Sequence, residues 1–347
     1  MSEIINSRIL ELDPYSIPEV AEEEIKLDAQ ENPYPLPPNI KNKIIEKISR
    51  TDLNRYPDHK YERIRELIAE YSNTSSENIL LGNGSDELIL NILTACGGIG
   101  KIACAPTPTF AMYKILSQVT GTEFVSIPME EGFVLPVNKI LAVRPDVIFI
   151  AYPNNPTANC FDQEAVLKII DNCKGLIVID EAYYEFSGKT FADKINESSK
   201  VVILRTFSKA FSLAGIRAGY MLARKELINE FRKVQLPYNI NIITQLTLEV
   251  VLANRLQALD SVKVLLKSRD AVFGELSQME GIRAFPSEAN YILMKIDRID
   301  DVMKALDKSG IRVREFSNTE LKGYLRLTIG TEEENEHFYN TILSALS

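Results

Sequence analysis

The sequence has 347 residues, 45% hydrophobic and 25% charged, and a net charge of −9 at neutral pH. That length suits one large core with a smaller domain appended. The acidic balance, with both signs spread along the chain, argues against a nucleic-acid surface and against a polybasic membrane surface, although a single pocket can still be basic.

In chain order, the opening MSEIINSRILELDPYS lacks the apolar run of a secretory signal, so a cytoplasmic protein is expected. Segment 29–39 (AQENPYPLPPN) predicts an extended arm, because proline fixes φ and removes a donor. It is expected to pack beside the C-terminal part or the active site. Short apolar runs then alternate with amphipathic ones. Strands are predicted at 79–82, 101–106, 124–128, 147–153, 176–182, 201–207 and 218–223. Several are almost wholly apolar, as strands covered on both faces are. Helices are predicted at 85–97, 110–121, 162–175 and 225–236, with Gly97, Gly121 and Gly175 as C-terminal caps. A long helical stretch, roughly 243–280, follows with little interruption. Beyond it lie a strand at 290–296, a helix at 299–310 and strands at 311–316 and 324–330. The pattern predicts an α/β fold: a mainly parallel seven-stranded sheet flanked by helices, with a small α+β domain after it. The expected boundaries are an arm over 1–40, a large domain over 41–255 and a small one over 256–347. No stretch approaches a membrane span. Cys96, Cys104, Cys160 and Cys173 show no CxxC spacing and read as reduced thiols. With His59 and His337 as the only histidines, neither a metal centre nor a histidine triad is expected.

In open α/β sheets ligands sit beyond the carboxyl ends of the strands. Four such ends carry chemistry: Asn83-Gly84-Ser85-Asp86, Asn154-Asn155-Pro156-Thr157, Asp180-Glu181-Ala182-Tyr183 and Thr206-Phe207-Ser208-Lys209. Taken singly each has a plainer reading. Lys209 could be a solvated lysine, Asp180 a helix cap, Asn155 a turn residue and Gly84-Ser85 a capping turn. Together, after successive apolar strands, they match what pyridoxal phosphate requires. An aldehyde cofactor is held by an amine, which Lys209 supplies. Its ring nitrogen stays protonated against a buried carboxylate, Asp180. Its phenolic oxygen takes donors such as Asn155 and Tyr183. Its phosphate suits helix N-terminal amides, hydroxyls and a cation, for which Ser85, Thr206, Ser208 and Arg217 are the candidates. Phe110 offers a flat wall for the ring.

Asn155-Pro156-Thr157, Asp180-Glu181-Ala182-Tyr183 and Thr206-Phe207-Ser208-Lys209 with Arg217 resemble the fold-type I, class I/II aminotransferases over nearly the whole chain. The fuller pattern is similar to the histidinol-phosphate aminotransferases among them. It includes 12–15 (LDPY), 27–37 (LDAQENPYPLP), 55–58 (RYPD), 82–89 (GNGSDELI), 106–113 (PTPTFAMY) and 323–330 (GYLRLTIG). The resemblance implies pyridoxal 5'-phosphate as cofactor, with L-histidinol phosphate and glutamate or 2-oxoglutarate as substrates. It implies Lys209, Asp180 and Tyr183 as catalytic residues. Gly84, Ser85, Asp86, Phe110, Asn155, Thr206, Ser208 and Arg217 would hold the cofactor. Tyr56 would reach the cofactor phosphate of a neighbouring subunit, making the active unit a homodimer. Arg326 would take the anionic end of the substrate, with Asn155, Arg314 and Tyr15 assisting.

The sequence departs from the family pattern in three places: Phe110 replaces the usual tyrosine, Ala158 a glycine, and Gln30 an asparagine. Threonine-phosphate decarboxylases and aromatic or aspartate aminotransferases share the fold and stay open as alternatives. A regulator built on the same fold would carry a basic DNA-binding extension, which is not seen. A nicotinamide dehydrogenase or a P-loop protein lacks its glycine spacing here.

Overall fold

The computed structural model describes residues 4–14, 24–316 and 320–347. Thirteen strands are formed among them. β1 is Ile25–Lys26, β2 Ile79–Gly82, β3 Ile102–Thr107, β4 Glu123–Pro128, β5 Val147–Ala151, β6 Leu176–Asp180 and β7 Val201–Thr206. β8 is Gly219–Ala223, β9 Ile282–Ala284, β10 Tyr291–Ile296, β11 Ile311–Arg312, β12 Arg314–Glu315 and β13 Tyr324–Thr328.

Seven strands make the main sheet in the order β2-β8-β7-β6-β5-β3-β4, all parallel except β8, which runs against both neighbours. Every residue of β5, β6 and β7 is buried, because helices cover both faces. The two-residue period sorts them. Val147, Phe149, Ala151, Val178, Val202 and Leu204 join the core on one face. Ile148, Ile150, Ile177, Ile179, Val201 and Ile203 join the core on the other. Each such side chain contributes about 1.5–3 kcal/mol by burial. The same alternation carries past the strand ends. Asp180 and Thr206 fall on the face of Phe149, and Glu181 and Arg205 on the opposite face.

A second, antiparallel sheet runs β12-β13-β10-β9 and packs on a third core that includes Tyr291, Leu325, Leu327 and Phe338. β1 pairs in parallel with β11. These two- and three-residue strands show no readable period, so β1 and β9 escape sequence reading, and 311–316 divides at Val313.

Several local expectations need correction. The stretch 243–280 is three helices, Ile242–Ala253, Arg255–Ala258 and Asp260–Leu276. It breaks at Asn254, whose side chain turns back to the Val250 carbonyl and also accepts from Lys43. The arm is non-helical only to Pro37. Pro38 opens the helix Pro38–Ser49 at its first position, where a missing N–H costs nothing. Gly121 and Gly97 do close helices, but Gly175 does not, because its helix ends at Asn172. Gly175 instead lets the chain pass the Pro145 carbonyl, 2.2 Å from where a Cβ would sit. Among the described residues, no helix is long and apolar enough to cross a membrane.

Candidate active site

A cavity of about 350 Å³ opens at the carboxyl ends of β5, β6 and β7, closed on one side by Ala29, Gln30 and Glu31 of the arm. Asp180 ends β6 and points into it, 5% exposed. One carboxylate oxygen accepts from the Tyr113 hydroxyl at 2.7 Å and the other from the Ala182 N–H at 3.2 Å. Burial pushes Asp180 up to about 6, against the pull of those two donors, and the negative charges of Asp86 and Glu181 add to the rise.

Lys209 lies three residues beyond β7 and donates from Nζ to the Ala29 carbonyl at 2.7 Å. Burial lowers it to about 8, and the charges of Arg326 and Arg217 act in the same direction. Its amine therefore sits in the same cavity as the Asp180 carboxylate, held by the backbone of the arm.

Ser85 opens the helix Ser85–Cys96, whose N-cap is Gly84 at φ 83°, ψ 167°. A Cβ on Gly84 would stand 2.8 Å from the Arg217 guanidinium, and one on Gly219 would stand 2.8 Å from the Ser85 amide. The two glycines thus let Arg217 and the helix N-terminus converge. Arg217 also pairs with Asp86 at 3.1 Å. The Thr206 hydroxyl accepts from the Ser208 N–H at 3.1 Å and donates to the Ala218 carbonyl at 3.3 Å, fixing the turn that leads to Lys209. Helix amides, three hydroxyls and a guanidinium form a cradle suited to a phosphate dianion.

On the far wall Asn155 Nδ2 donates to the Tyr183 hydroxyl at 3.4 Å, and Asn155 Oδ1 accepts from Arg326 Nη1 at 2.7 Å. Burial holds the Tyr183 phenol above its ordinary range, so it stays protonated at neutral pH. Arg326, on β13, also donates to the Asp28 carbonyl and lies over the Tyr291 ring at 5.6 Å. It reaches the cavity wall through Asn155 and does not line the cavity itself.

Lys209, Asp180, Asn155, Tyr183, Ser85, Asp86, Phe110, Thr206, Ser208 and Arg217 all line this one cavity, and Gly84 stands behind Arg217. Two residues singled out from the sequence sit elsewhere, and a third is not among the described residues. Tyr56 is 81% exposed and stacks on Tyr238 at 4.5 Å, away from the cavity of its own chain. Arg314 is exposed on β12, directly across from Arg326 in register. Tyr15 lies outside the described residues. Sequence reading missed Tyr113, although it stands only three residues after Phe110. It also missed the carbonyls of Asp28 and Ala29, which no side-chain pattern marks.

The donor set fits pyridoxal 5'-phosphate: an amine for the aldehyde, a buried carboxylate for the ring nitrogen, an amide and a phenol for the ring oxygen, and a phosphate cradle. The two cradle glycines leave room that any side chain would fill.

Comparison with known proteins agrees. The family described as aminotransferase class I and II matches residues 22–342. The histidinol-phosphate aminotransferase of Pyrococcus furiosus is 39% identical over 341 residues, covering 98% of this chain and 97% of that protein. The crystal structure of the Clostridium acetobutylicum histidinol-phosphate aminotransferase superposes with a TM-score of 0.84 at 27% identity, over 92% of this chain and 98% of that one. The Sinorhizobium meliloti enzyme of that name, in complex with pyridoxal-5'-phosphate, shares the fold with a TM-score of 0.88 at 20% identity, over 99% and 97% of the two chains. With cavity, fold and sequence in agreement, the chain belongs to the class I and II aminotransferase family, whose members are pyridoxal 5'-phosphate-dependent transaminases.

Proposed function

We propose that the protein is a histidinol-phosphate aminotransferase of histidine biosynthesis, moving an amino group between L-histidinol phosphate and 2-oxoglutarate to give imidazole-acetol phosphate and glutamate. The observation that carries the reaction type is the placement of the Lys209 amine and the Asp180 carboxylate in one cavity. The choice of substrate is supported by the 39% identity to a relative of that name.

When bound, pyridoxal 5'-phosphate supplies an aldehyde for the amino group and a ring that accepts electrons. Lys209 binds that aldehyde at rest. Its amine, when free, would be the base that moves a proton at the substrate's amine-bearing carbon. A lysine lowered to about 8 is neutral, and so basic, in a far larger fraction of molecules at working pH than an exposed one. Asp180 would hold the ring nitrogen in its protonated form, and Asn155 and Tyr183 would donate to the ring oxygen. Phe110 covers one ring face. Ser85, Asp86, Thr206, Ser208 and Arg217, with the amides after Gly84, orient the phosphate. Arg326, helped by Arg314, Asn155 and Tyr15, receives the substrate's phosphate or carboxylate, since a planar guanidinium pairs two-fold with either anion. The active unit is a homodimer in which the exposed Tyr56 reaches the neighbouring site, and the free cysteines suit the cytoplasm.

The test is an absorption spectrum of the cofactor-loaded protein before and after L-histidinol phosphate is added. Bleaching of the yellow band supports the assignment. A band that answers only to another amine discards the substrate, and carbon dioxide release from threonine phosphate moves the protein to the decarboxylases. The cradle has its own test. Gly84→Ala puts alanine into a backbone region open almost only to glycine, at a cost of about 1–3 kcal/mol, and pushes the Arg217 guanidinium aside. Thermal stability drops accordingly, and cofactor affinity, read by fluorescence titration, falls on the order of tenfold for loss of a charge-assisted contact. Unchanged affinity removes Arg217 from the phosphate.

A further inference from the structure

We propose that Tyr113 is a positioning residue for this reaction: its hydroxyl sets both the orientation and the proton affinity of Asp180. The proposal rests on the reading that Asp180 faces the ring nitrogen of the cofactor.

The strand period puts Asp180 on the same face of the main sheet as Phe149, and Tyr113 docks there from the helix Met112–Thr120. Tyr113 is fully buried. Its ring stacks on Phe149 at 4.7 Å and 7° and meets the edge of Phe110 at 5.6 Å. A ring gripped on two sides leaves its hydroxyl little freedom, and a buried phenol needs a partner. The partner is Asp180 Oδ2, at 2.7 Å. Burial and the nearby carboxylate hold the phenol far above its ordinary range, so it remains a donor. Ala182 N–H takes Oδ1. One donor on each oxygen fixes the carboxylate plane and leaves its remaining lone pairs for the cavity.

The other groups facing Asp180 do not replace this contact. Asp86 and Glu181 carry the same sign and raise its proton affinity. The phenols of Tyr183 and Tyr291 stay neutral, and Lys209 and Arg217 line the same cavity without bonding to the carboxylate. Tyr113 is therefore the side chain that offsets burial. Without its hydroxyl, Oδ2 is desolvated and unpaired, so the charged form of Asp180 is disfavoured and its titration moves upward.

The experiment follows the infrared band of the protonated Asp180 carboxyl in the full-length, cofactor-free protein, identified by difference from Asp180→Asn. Pyridoxal 5'-phosphate affinity is measured on the same set. In Tyr113→Phe the midpoint rises by about one pH unit, a tenfold gain in proton affinity, and cofactor affinity falls about tenfold. Incorporating 3-fluorotyrosine at position 113 strengthens the donor with little change in packing and lowers the midpoint, a readout that serves even where Tyr113→Phe does not fold. A wild-type midpoint in Tyr113→Phe or with 3-fluorotyrosine makes Tyr113 a packing residue and overturns the proposal. Wild-type cofactor affinity and spectrum in Asp180→Asn overturn the placement of Asp180 against the ring, a failure the infrared midpoint identifies separately.

Discussion

Lys209→Ala abolishes turnover and leaves a folded protein. The expected loss is at least about 10⁴-fold, the scale seen when an enzyme loses the side chain that carries its chemistry. Folding survives because the amine is held against its own preference. Burial lowers it to about 8 in the folded chain, from an ordinary lysine value of 10.5. Between those two values the unfolded chain binds more protons than the folded one, so the lysine's cost is full below pH 8 and disappears as pH rises to 10.5. Removing the lysine relieves that cost at neutral pH. The hydrogen bond lost to Ala29, about 1 kcal/mol, works the other way. The cofactor-free variant should therefore match or exceed the wild-type Tm at pH 7, and its advantage should shrink toward pH 10.5. Thermal unfolding across that range, together with a single-turnover assay, tests both halves. Retained turnover would remove Lys209 from the centre of the reaction, and a variant that fails to fold would give the amine a packing role.

Arg205→Ala is expected to cost about 3–5 kcal/mol of stability, the scale of a buried ion pair left with one partner. Glu181 is fully buried on the sheet face opposite Asp180. Its Oε2 accepts from Arg205 Nε at 3.0 Å and Nη2 at 2.9 Å, and its Oε1 accepts from the Phe191 N–H at 2.7 Å. The guanidinium lies 3.6 Å above the Tyr184 ring. Glu185, half-buried and pushed up by burial to about 7, accepts from Tyr71 nearby. Truncating Arg205 leaves the Glu181 charge without its counterion in a dry interior. Tm should fall on the order of 10 °C. Burial already raises Glu181 above its ordinary value. The deficit should therefore narrow as the pH falls and that carboxyl takes up a proton. Replacing both partners with apolar residues, Arg205→Met with Glu181→Leu, should lose less than the single truncation. Urea unfolding of the wild type and these two variants at pH 7 and pH 5 decides it: an Arg205→Ala protein within about 1 kcal/mol of wild type would mean that water reaches Glu181.

The parts of the fold legible from the sequence are those where burial leaves a pattern. β5, β6 and β7 stand out because both faces are covered, so nearly every residue is apolar. The cavity residues at their ends are short-range features of the same strands. Tyr113 is another matter. Its contact with Asp180 spans 67 residues and depends on how one helix docks on the sheet. Arg326 meets Asn155 across 171 residues, from a different sheet. Asp28 and Ala29 act through carbonyls, which every residue has. The helix break at Asn254 turns on one side chain that could equally have pointed to solvent.

β8 is the one strand of the main sheet that runs backwards, and this has a bearing on how the protein can change over evolutionary time. Because β7 arrives at the cavity rim and β8 departs from it, the chain between them, 207–218, never leaves that rim. The amine of Lys209 and the guanidinium of Arg217 ride on this one short excursion. Their spacing along the chain is settled within a dozen residues. Arg326 belongs to that other sheet. On the proposed roles, substitutions around β12 and β13 would act first on which anion is recognised, and would reach the Lys209 anchor only through the charge of Arg326 and its bond to Asn155.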